Sequence, residues 1–387
     1  MAGAAAADVA AVTTTEAARA SVSLPGAMGS REREQRETGR MLVSAAADRW
    51  AVIDAQKVAR GAFLTRTDAW LTPQVLRFLR AARPARIVDP FAGDGDLLRA
   101  VTARGFGVVE GFDLDPTRGF PVRDSLAAIR PLRDAAIVTN PPYLARHSAA
   151  RKRVLAGVER WFGSAAHSDL YQIALERCLG AASHVVAIVP ETFVHSRFPK
   201  ERVASVTVIE DPLFEDTDQP VCVVCFGPEP RPPSRRVYYR GRQRLITQGA
   251  LDRLLPKPER SAGIRFNDPE GQIGLRAVDG VGAEDRARFV PARELAYDRE
   301  RIKVSSRLVT LIHVDDLSPR RLKGIVAGAN GGLEALRAAS HDLALSPFKG
   351  NNHAGVRRRR LDYSTARALL ESALRAGTGG QSQDRAR

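Results

Sequence analysis

The chain has 387 residues, with 59 Lys and Arg against 44 Asp and Glu, a net charge of +15, 44% apolar and 27% charged residues. That length supports a sizeable core and a prior of two or three domains. The composition is that of a globular protein and excludes a membrane helix, since no run approaches the roughly 18 apolar residues a span requires.

Residues 1–45 are low in complexity, with Ala4–Ala7, Thr13–Thr15 and the alternating charges of 31–34. Too few large apolar residues are present there to offset ordering entropy, so a disordered segment is expected. No basic start leads into an apolar core, which argues against a signal peptide. A globular pattern follows over 46–230. A helix is expected over Pro73–Ala82, a strand over Ile87–Asp89 and a helix over Asp96–Ala103. Further strands are expected at Val108–Phe112 and Ala135–Thr139, a helix at Leu170–Leu179, and strands at Val185–Val189, Val206–Ile209 and Val221–Phe226. Strands alternating with helices imply a doubly wound, mostly parallel α/β sheet. The last two strands are joined by a stretch too short for a helical crossover, so they are expected to form an antiparallel edge hairpin. Cys222 and Cys225 lie inside the last strand and point to opposite faces. With Cys178 they read as buried structural thiols in a reduced, cytoplasmic protein, and no metal site is expected. Proline punctuates Pro228–Arg236, which sets the expected boundary of a second domain, 231–387.

Chemistry concentrates at the predicted strand ends. Asp89, Pro90, Phe91, Ala92, Gly93, Asp94, Gly95 and Asp96 form a strand, a glycine turn and a helix start. In open parallel sheets the ligand crevice lies at the carboxyl ends of the strands. A dinucleotide fingerprint would need a third glycine where Leu98 stands, and the turn's acids would repel a pyrophosphate. An acidic glycine turn suits a cationic ligand, such as the sulfonium and ammonium of S-adenosylmethionine; a purely structural turn is the bland alternative. Asp113 ends the next strand, where a carboxylate accepts ribose hydroxyls, with Asp115 as competitor. Asp124 is either an acceptor for the adenine amine of the cofactor or a helix N-cap. Asn140, Pro141, Pro142 and Tyr143 follow the strand Ala135–Thr139. The Asn140 side chain and the Pro141 carbonyl offer two acceptors to an amine with two protons, and Tyr143 offers a flat ring.

In this order the segments resemble the gamma-class S-adenosylmethionine-dependent N6-adenine DNA methyltransferases of type II restriction–modification systems. The resemblance spans roughly residues 58–227. It implies a Rossmann-like methyltransferase sheet with a smaller basic C-terminal target-recognition domain. Asp89, Ala92 and Gly93 are similar to the methionine-binding turn, Asp113 to the ribose acid, and Asp124 to the adenine acceptor. Asn140–Tyr143 is similar to the catalytic motif. Gly61–Thr65 resembles the N-terminal cofactor motif, although Arg66 stands where that motif has proline. Asp169–Tyr171 and Val189–Glu191 resemble later supporting motifs. Phe226, or in its place Phe214, would line the target-base pocket. The implied partners are duplex DNA and a cognate restriction endonuclease acting on the same site without implied contact.

Charge divides unevenly: residues 231–387 hold 31 basic and 17 acidic residues, and residues 1–230 hold 28 and 27. A basic half attached to a neutral half fits a polyanion-binding attachment. Arg235, Arg236, Arg240 and Arg242 form one basic cluster beside Tyr238 and Tyr239. Lys349, Asn351, Asn352 and Arg357, Arg358, Arg359 and Arg360 form another, with cations for phosphates and amides able to pair with base edges. A solvated basic face is the bland reading. Three alternatives remain open: a ribosomal RNA methyltransferase, a protein-glutamine methyltransferase, and a non-catalytic nucleic-acid binder that kept the fold.

Overall fold

The computed structural model describes residues 65, 68–163, 166–214, 217–260, 262–295 and 308–379. All of them lie in one compact unit, Gln56–Arg387. The low-complexity segment 1–45 and residues 61–64 of the expected cofactor motif lie outside the described residues.

A large sheet has the order β2-β1-β3-β4-β6-β5-β7-β8. Its strands are β1 (Arg86–Asp89), β2 (Val109–Gly111), β3 (Ala135–Thr139), β4 (His184–Pro190), β5 (Val203–Ile209), β6 (Val221–Phe226), β7 (Val237–Arg240) and β8 (Gln243–Thr247). Parallel ladders join β1 to β2 and β3, β3 to β4, and β5 to β7. Only β6 and β8 run the other way. The sheet is therefore mixed α/β and mostly parallel, as the alternating pattern implies.

Helices Pro73–Ala82, Asp96–Thr102 and Leu170–Ala181 match the expected ones to within two residues. Every residue of β3 is buried, and the strand is continuously apolar until Thr139, the pattern of a strand covered on both faces. Its side chains alternate between two cores. Ala136 and Val138 join Val186, Ile188, Val75 and Leu79 on one face. Ile137 joins Val185, Leu175 and Phe226 on the other.

Two expectations about the sheet change. The antiparallel pair β5–β6 exists, but it is interior: β6 lies between β4 and β5, bonded to both. Its sequence, Val-Cys-Val-Val-Cys-Phe, is buried throughout, and such a strand needs a neighbour on each side. The edge belongs to β7–β8, where Gln243 and Arg244 are exposed and polar side chains tolerate solvent. The proline-rich stretch ends no domain either. It carries the chain across to β7, which pairs parallel with β5 and buries Tyr238.

Beyond the sheet, β9 (Ile264–Phe266), β10 (Ile273–Arg276), β11 (Arg288–Pro291) and β12 (Val309–Val314) form an antiparallel sheet of order β11-β10-β12-β9. The strands β13 (Ser346–Asn351) and β14 (Arg357–Arg360) form a hairpin. Helices Pro319–Ser340 and Tyr363–Gly379 complete this part. Ile273, Phe289, Ile312, Leu333 and Leu370 lie in the same continuous core as Ile137, Val185 and Phe226. The separate basic domain expected from composition is thus not what forms; residues 231–387 share a core with the sheet.

Helix Pro319–Ser340 is not announced by the sequence pattern. Gly324, Gly328, Gly331 and Gly332 interrupt its apolar periodicity and lower its intrinsic propensity. Two of them serve packing. A Cβ at Gly328 would sit 3.3 Å from the Ala373 Cβ, and one at Gly332 would sit 3.2 Å from a Leu369 methyl. The missing side chains let the terminal helix approach closely.

Candidate active site at the strand ends

The carboxyl ends of β1 and β3 are adjacent, because Val88 pairs with Ile137 in a parallel ladder. This register brings Asp89 and Asn140 to one edge of the sheet. The buried Thr139 hydroxyl donates to Asp89 Oδ1 at 2.7 Å, tying the acidic turn to the residue just before Asn140. Asp89 Oδ1 also accepts from the Phe91 amide at 3.0 Å. Burial pushes the Asp89 carboxyl up to about 7, the neighbouring Asp113 charge adds to the rise, and these two hydrogen bonds oppose it.

The turn after β1 needs its glycines. Gly93 and Gly95 have φ of 55° and 79°, a region in which a Cβ is strained. At Gly95 a Cβ would also sit 3.0 Å from the Phe120 ring. Asp113 braces the turn, its Oδ2 accepting from the Gly93 amide and its Oδ1 from the Asp115 amide, both at 2.8 Å. Ala92 N donates to the Phe112 carbonyl at 2.9 Å, closing the seam between the ends of β1 and β2. Asp94, one of the turn's acids, is ion-paired with Arg118. Asp115 caps the turn Pro116–Arg118 by accepting from Thr117, the turn role that its place before Pro116 suggests.

Asp124 is not the N-cap of a helix. No helix forms over 126–129; the segment is a turn in which the carboxylate accepts from Ala127 N at 3.1 Å. The Trp161 indole N–H meets both oxygens at 3.1 Å, and Arg160 pairs with Oδ2 at 3.2 Å. Helix Leu155–Phe162 therefore claims much of this carboxylate, a tie that spacing in the sequence does not reveal.

The Asn140 amide is oriented from two sides. Its Nδ2 donates to the Oγ1 of buried Thr65 at 3.2 Å. Its Oδ1 meets the Tyr143 hydroxyl, which also lies 2.9 Å from the Ile188 carbonyl. Burial raises the Tyr143 phenol well above its ordinary value, so the hydroxyl remains a neutral donor. The Tyr143 ring sits edge-on to Tyr171 at 6.5 Å and to Phe214 at 6.2 Å. Tyr171 is carried by a segment stitched to the residues after the motif: Ala145 bridges to Asp169, and Leu170 N donates to the Leu144 carbonyl at 3.1 Å. Burial pushes the Asp169 carboxyl up to about 6, against hydrogen bonds from the backbone at Tyr171 and Leu144. Of the two pocket candidates, Phe214 is beside Tyr143. Both are core residues: Phe214 is 5% exposed in the core that flanks Tyr143, whereas Phe226 is fully buried among Phe193 and Phe198, away from that ring.

The expected basic clusters divide by burial. Arg357 and Arg359 are 7% and 2% exposed and face Glu191, which is 1% exposed. Arg359 Nη1 lies 2.5 Å from Glu191 Oε1, and Arg357 Nε lies 3.9 Å from Oε2. Arg357 also donates to the Ile209 carbonyl at 3.2 Å. Arg358 donates to the Asp279 carbonyl and lies over the Phe348 ring. The strand alternation of β14 sends Arg357 and Arg359 inward, so neither is available to a phosphate. Asn352 is a turn residue whose side-chain oxygen accepts from Ala354 and Val356 amides. Asn351 is half-buried. Arg236 donates to the Arg231 carbonyl, while Arg240 pairs with Glu210 at 3.1 Å and donates to the His341 carbonyl. Arg235, Arg242 and Lys349 are exposed, and Arg360 is half-exposed. Cys178, Cys222 and Cys225 are buried free thiols, with burial pushing Cys225 up to about 12. Among the described residues no cluster has the makings of a metal site, and no helix is long and apolar enough to cross a membrane.

No family model matches the sequence, and no curated protein matches it. Solved structures similar to it include a putative class I S-adenosylmethionine-dependent methyltransferase from Listeria monocytogenes (14% identity, 46% of this chain and 65% of that one, TM-score 0.33). Another is the methyltransferase subunit of a type I restriction–modification system from Streptococcus thermophilus (18%, 50% and 52%, TM-score 0.35). A third is the M protein of the type I restriction enzyme EcoKI (13%, 82% and 71%, TM-score 0.33). The chain spans less than two thirds of the length of the first two. At these TM-scores the likenesses carry no functional weight.

Proposed function

We propose that this chain is an S-adenosylmethionine-dependent methyltransferase acting on the N6 amine of an adenine in duplex DNA, protecting sites that a cognate restriction endonuclease would cut. The observation that carries the reading is the Thr139–Asp89 hydrogen bond. It joins an acidic, glycine-lined turn suited to a cationic nucleoside ligand to a motif suited to an amine, at adjacent parallel strand ends. That is where open α/β sheets bind ligands.

The donor set fits the cofactor. Asp89 is a buried carboxylate that a ligand ammonium would compensate, Gly93 and Gly95 let the backbone approach a ligand, and Asp113 keeps lone pairs beyond the two it gives to amides. When bound, the cofactor supplies an electrophilic methyl on a sulfonium. The protein's residues do the rest. Asn140 Oδ1 and the Pro141 carbonyl accept the two protons of the incoming amine, and this pulls the nitrogen toward tetrahedral geometry with its lone pair free. Thr65 holds the Asn140 amide in the rotamer that presents oxygen to the substrate. The Tyr143 hydroxyl polarises the same oxygen, and its ring, with Phe214, offers an aromatic surface to a base taken out of the duplex. No strong base is required, because the nitrogen, cationic and strongly acidic once methylated, would give its proton to water after transfer; positioning and fixed dipoles provide the acceleration.

The test is transfer of labelled methyl from S-adenosylmethionine to duplex DNA by the purified full chain, with the product nucleoside identified. Label on N6 of adenine, lost in Asn140→Ala, supports the reading. Label only in RNA or on a protein glutamine overturns the substrate. No binding of S-adenosylmethionine overturns the enzyme.

A further inference from the structure

Five arginines from three separate stretches of chain line one open hollow of about 900 Å³ on the outer side of helix Pro73–Ala82: Arg77, Arg80, Arg83, Arg104 and Arg242. All five are exposed. Arg104 pairs with Asp68 at 2.6 Å. The other four have no side-chain ion pair or hydrogen bond among the described residues, whereas Arg86, Arg99, Arg118, Arg202 and Arg240 do. Five like charges with one acid, Asp68, among them repel one another, so folding alone gives no reason to assemble them. The assembly is nevertheless fixed. Gln74, buried on the inner side of the helix, donates from Nε2 to the Gly241 carbonyl at 2.8 Å and so pins the β7–β8 turn, with Arg242, against the helix. Arg83 closes the helix in the left-handed region, φ 46°, directing the chain toward β1.

We propose that this hollow is a phosphate-backbone docking surface for duplex nucleic acid, built on the catalytic body and separate from the basic residues of 349–360. It deepens the reading above and rests on nucleic acid being the substrate. Arg77 and Arg80 lie three residues apart on one helix, a rise of about 4.5 Å, and Arg83, just past its end, lines the same hollow. A row of guanidinium groups at that spacing meets a duplex that carries a negative charge every few ångströms along its axis. Arginine forks take phosphate oxygens in pairs of parallel hydrogen bonds. The hollow is wide and open, the shape of a surface for a backbone rather than for an enclosed small molecule. Arg357 and Arg359 are buried away from any phosphate, and the role expected of them falls instead to an exposed cluster of which only Arg104 is paired with an acid.

The experiment compares the full chain with Arg77→Ala/Arg80→Ala/Arg242→Ala, and with a control that removes the same charge elsewhere, Arg253→Ala/Arg293→Ala/Arg320→Ala. Duplex affinity is measured by anisotropy across a salt series, and S-adenosylmethionine binding by calorimetry. The hollow variant should bind duplexes of every sequence roughly tenfold or more weakly at 0.1 M salt, with the log–log salt slope flattened by about 0.9 for each phosphate no longer neutralised. Cofactor affinity should be unchanged, and the control should shift far less. Equal losses in variant and control, or an unchanged slope in the hollow variant, would overturn the proposal. So would a loss confined to anionic phosphatidylserine vesicles with duplex binding intact. If the chain binds no S-adenosylmethionine yet the hollow variant alone loses duplex affinity, the surface stands and the methyl-transfer reading falls.

Discussion

At the scale of the residue, the site is a set of small buried polar groups whose ionisation and orientation are fixed by their neighbours. Asp89 makes the clearest pH prediction. Its carboxyl titrates near 7 because it is buried, and a ligand ammonium would stabilise only the ionised form. Binding should therefore release a proton, and affinity for S-adenosylmethionine should rise as pH increases through about 7 and level off above it. Calorimetry on either side of that pH would show this, and Asp89→Asn should both weaken binding and flatten the profile. Asn140→Ala should leave cofactor affinity intact and abolish transfer, since its side chain meets Thr65 and Tyr143 and not the glycine turn. Tyr143 permits a finer separation. Tyr143→Phe keeps the ring and loses the hydroxyl that polarises Asn140, so kcat should fall while a fluorescent adenine analogue at the target still reports an extruded base. Tyr143→Ala should lose that signal as well, at a cost of about 1–3 kcal/mol, the range for a base stacked on an aromatic ring.

At the scale of the element, the informative feature is the charge network behind β4. Glu191 follows β4 directly and is held by Arg359 of β14. The Arg359 amide in turn donates to Asp279 Oδ2 at 2.9 Å, and Asp279 is gripped by both terminal nitrogens of Arg337 at 2.8 and 3.0 Å. Removing one partner of a buried pair strands the other charge without water. Arg359→Met should destabilise the protein by about 3–5 kcal/mol, and Glu191→Gln/Arg357→Met/Arg359→Met by much less, because Arg357 faces the same carboxylate and only the triple change removes every charge of the cluster. Denaturant unfolding of the singles and the combined variant gives the coupling. The glycine-rich helix makes a second prediction. Gly328→Leu fills the 3.3 Å approach to Ala373 and should lower stability by about 1–3 kcal/mol through overpacking, even though leucine is the better helix former.

At the scale of the whole molecule, composition suggests a neutral catalytic half and a detachable basic half, and the structure joins them. A chain ending near Arg231 would expose the β5 edge by losing β7, uncover the face of Phe226 and Val224, and leave Glu191 buried without arginine. Such a truncation should fail to accumulate as a folded protein. Full-length protein should unfold in one cooperative transition rather than two, which scanning calorimetry would register.

The sequence alone determined the parts of this protein whose physics is local. Continuous apolar runs in β3, β4 and β6 can only be buried strands, Gly93 and Gly95 can only serve a turn of unusual φ, and Asn140–Tyr143 follows its strand by adjacency. These are neighbours in the chain, so spacing conveys them. Tertiary structure decided whatever depends on which segment lies opposite. Four successive arginines look alike in sequence, yet the alternation of β14 turns two of them into a buried clamp on a glutamate 168 residues away. Asp124 looks like a free acceptor until Trp161 and Arg160 arrive from another helix. Phe226 and Phe214 are both buried, and only the core each one joins places Phe214 and not Phe226 beside the Tyr143 ring. Arg77, Arg80 and Arg242 became a single surface only because Gln74 reaches a carbonyl on a distant turn. Charge and burial are set by the partners that folding brings from far along the chain, and no periodicity in the sequence encodes their arrival.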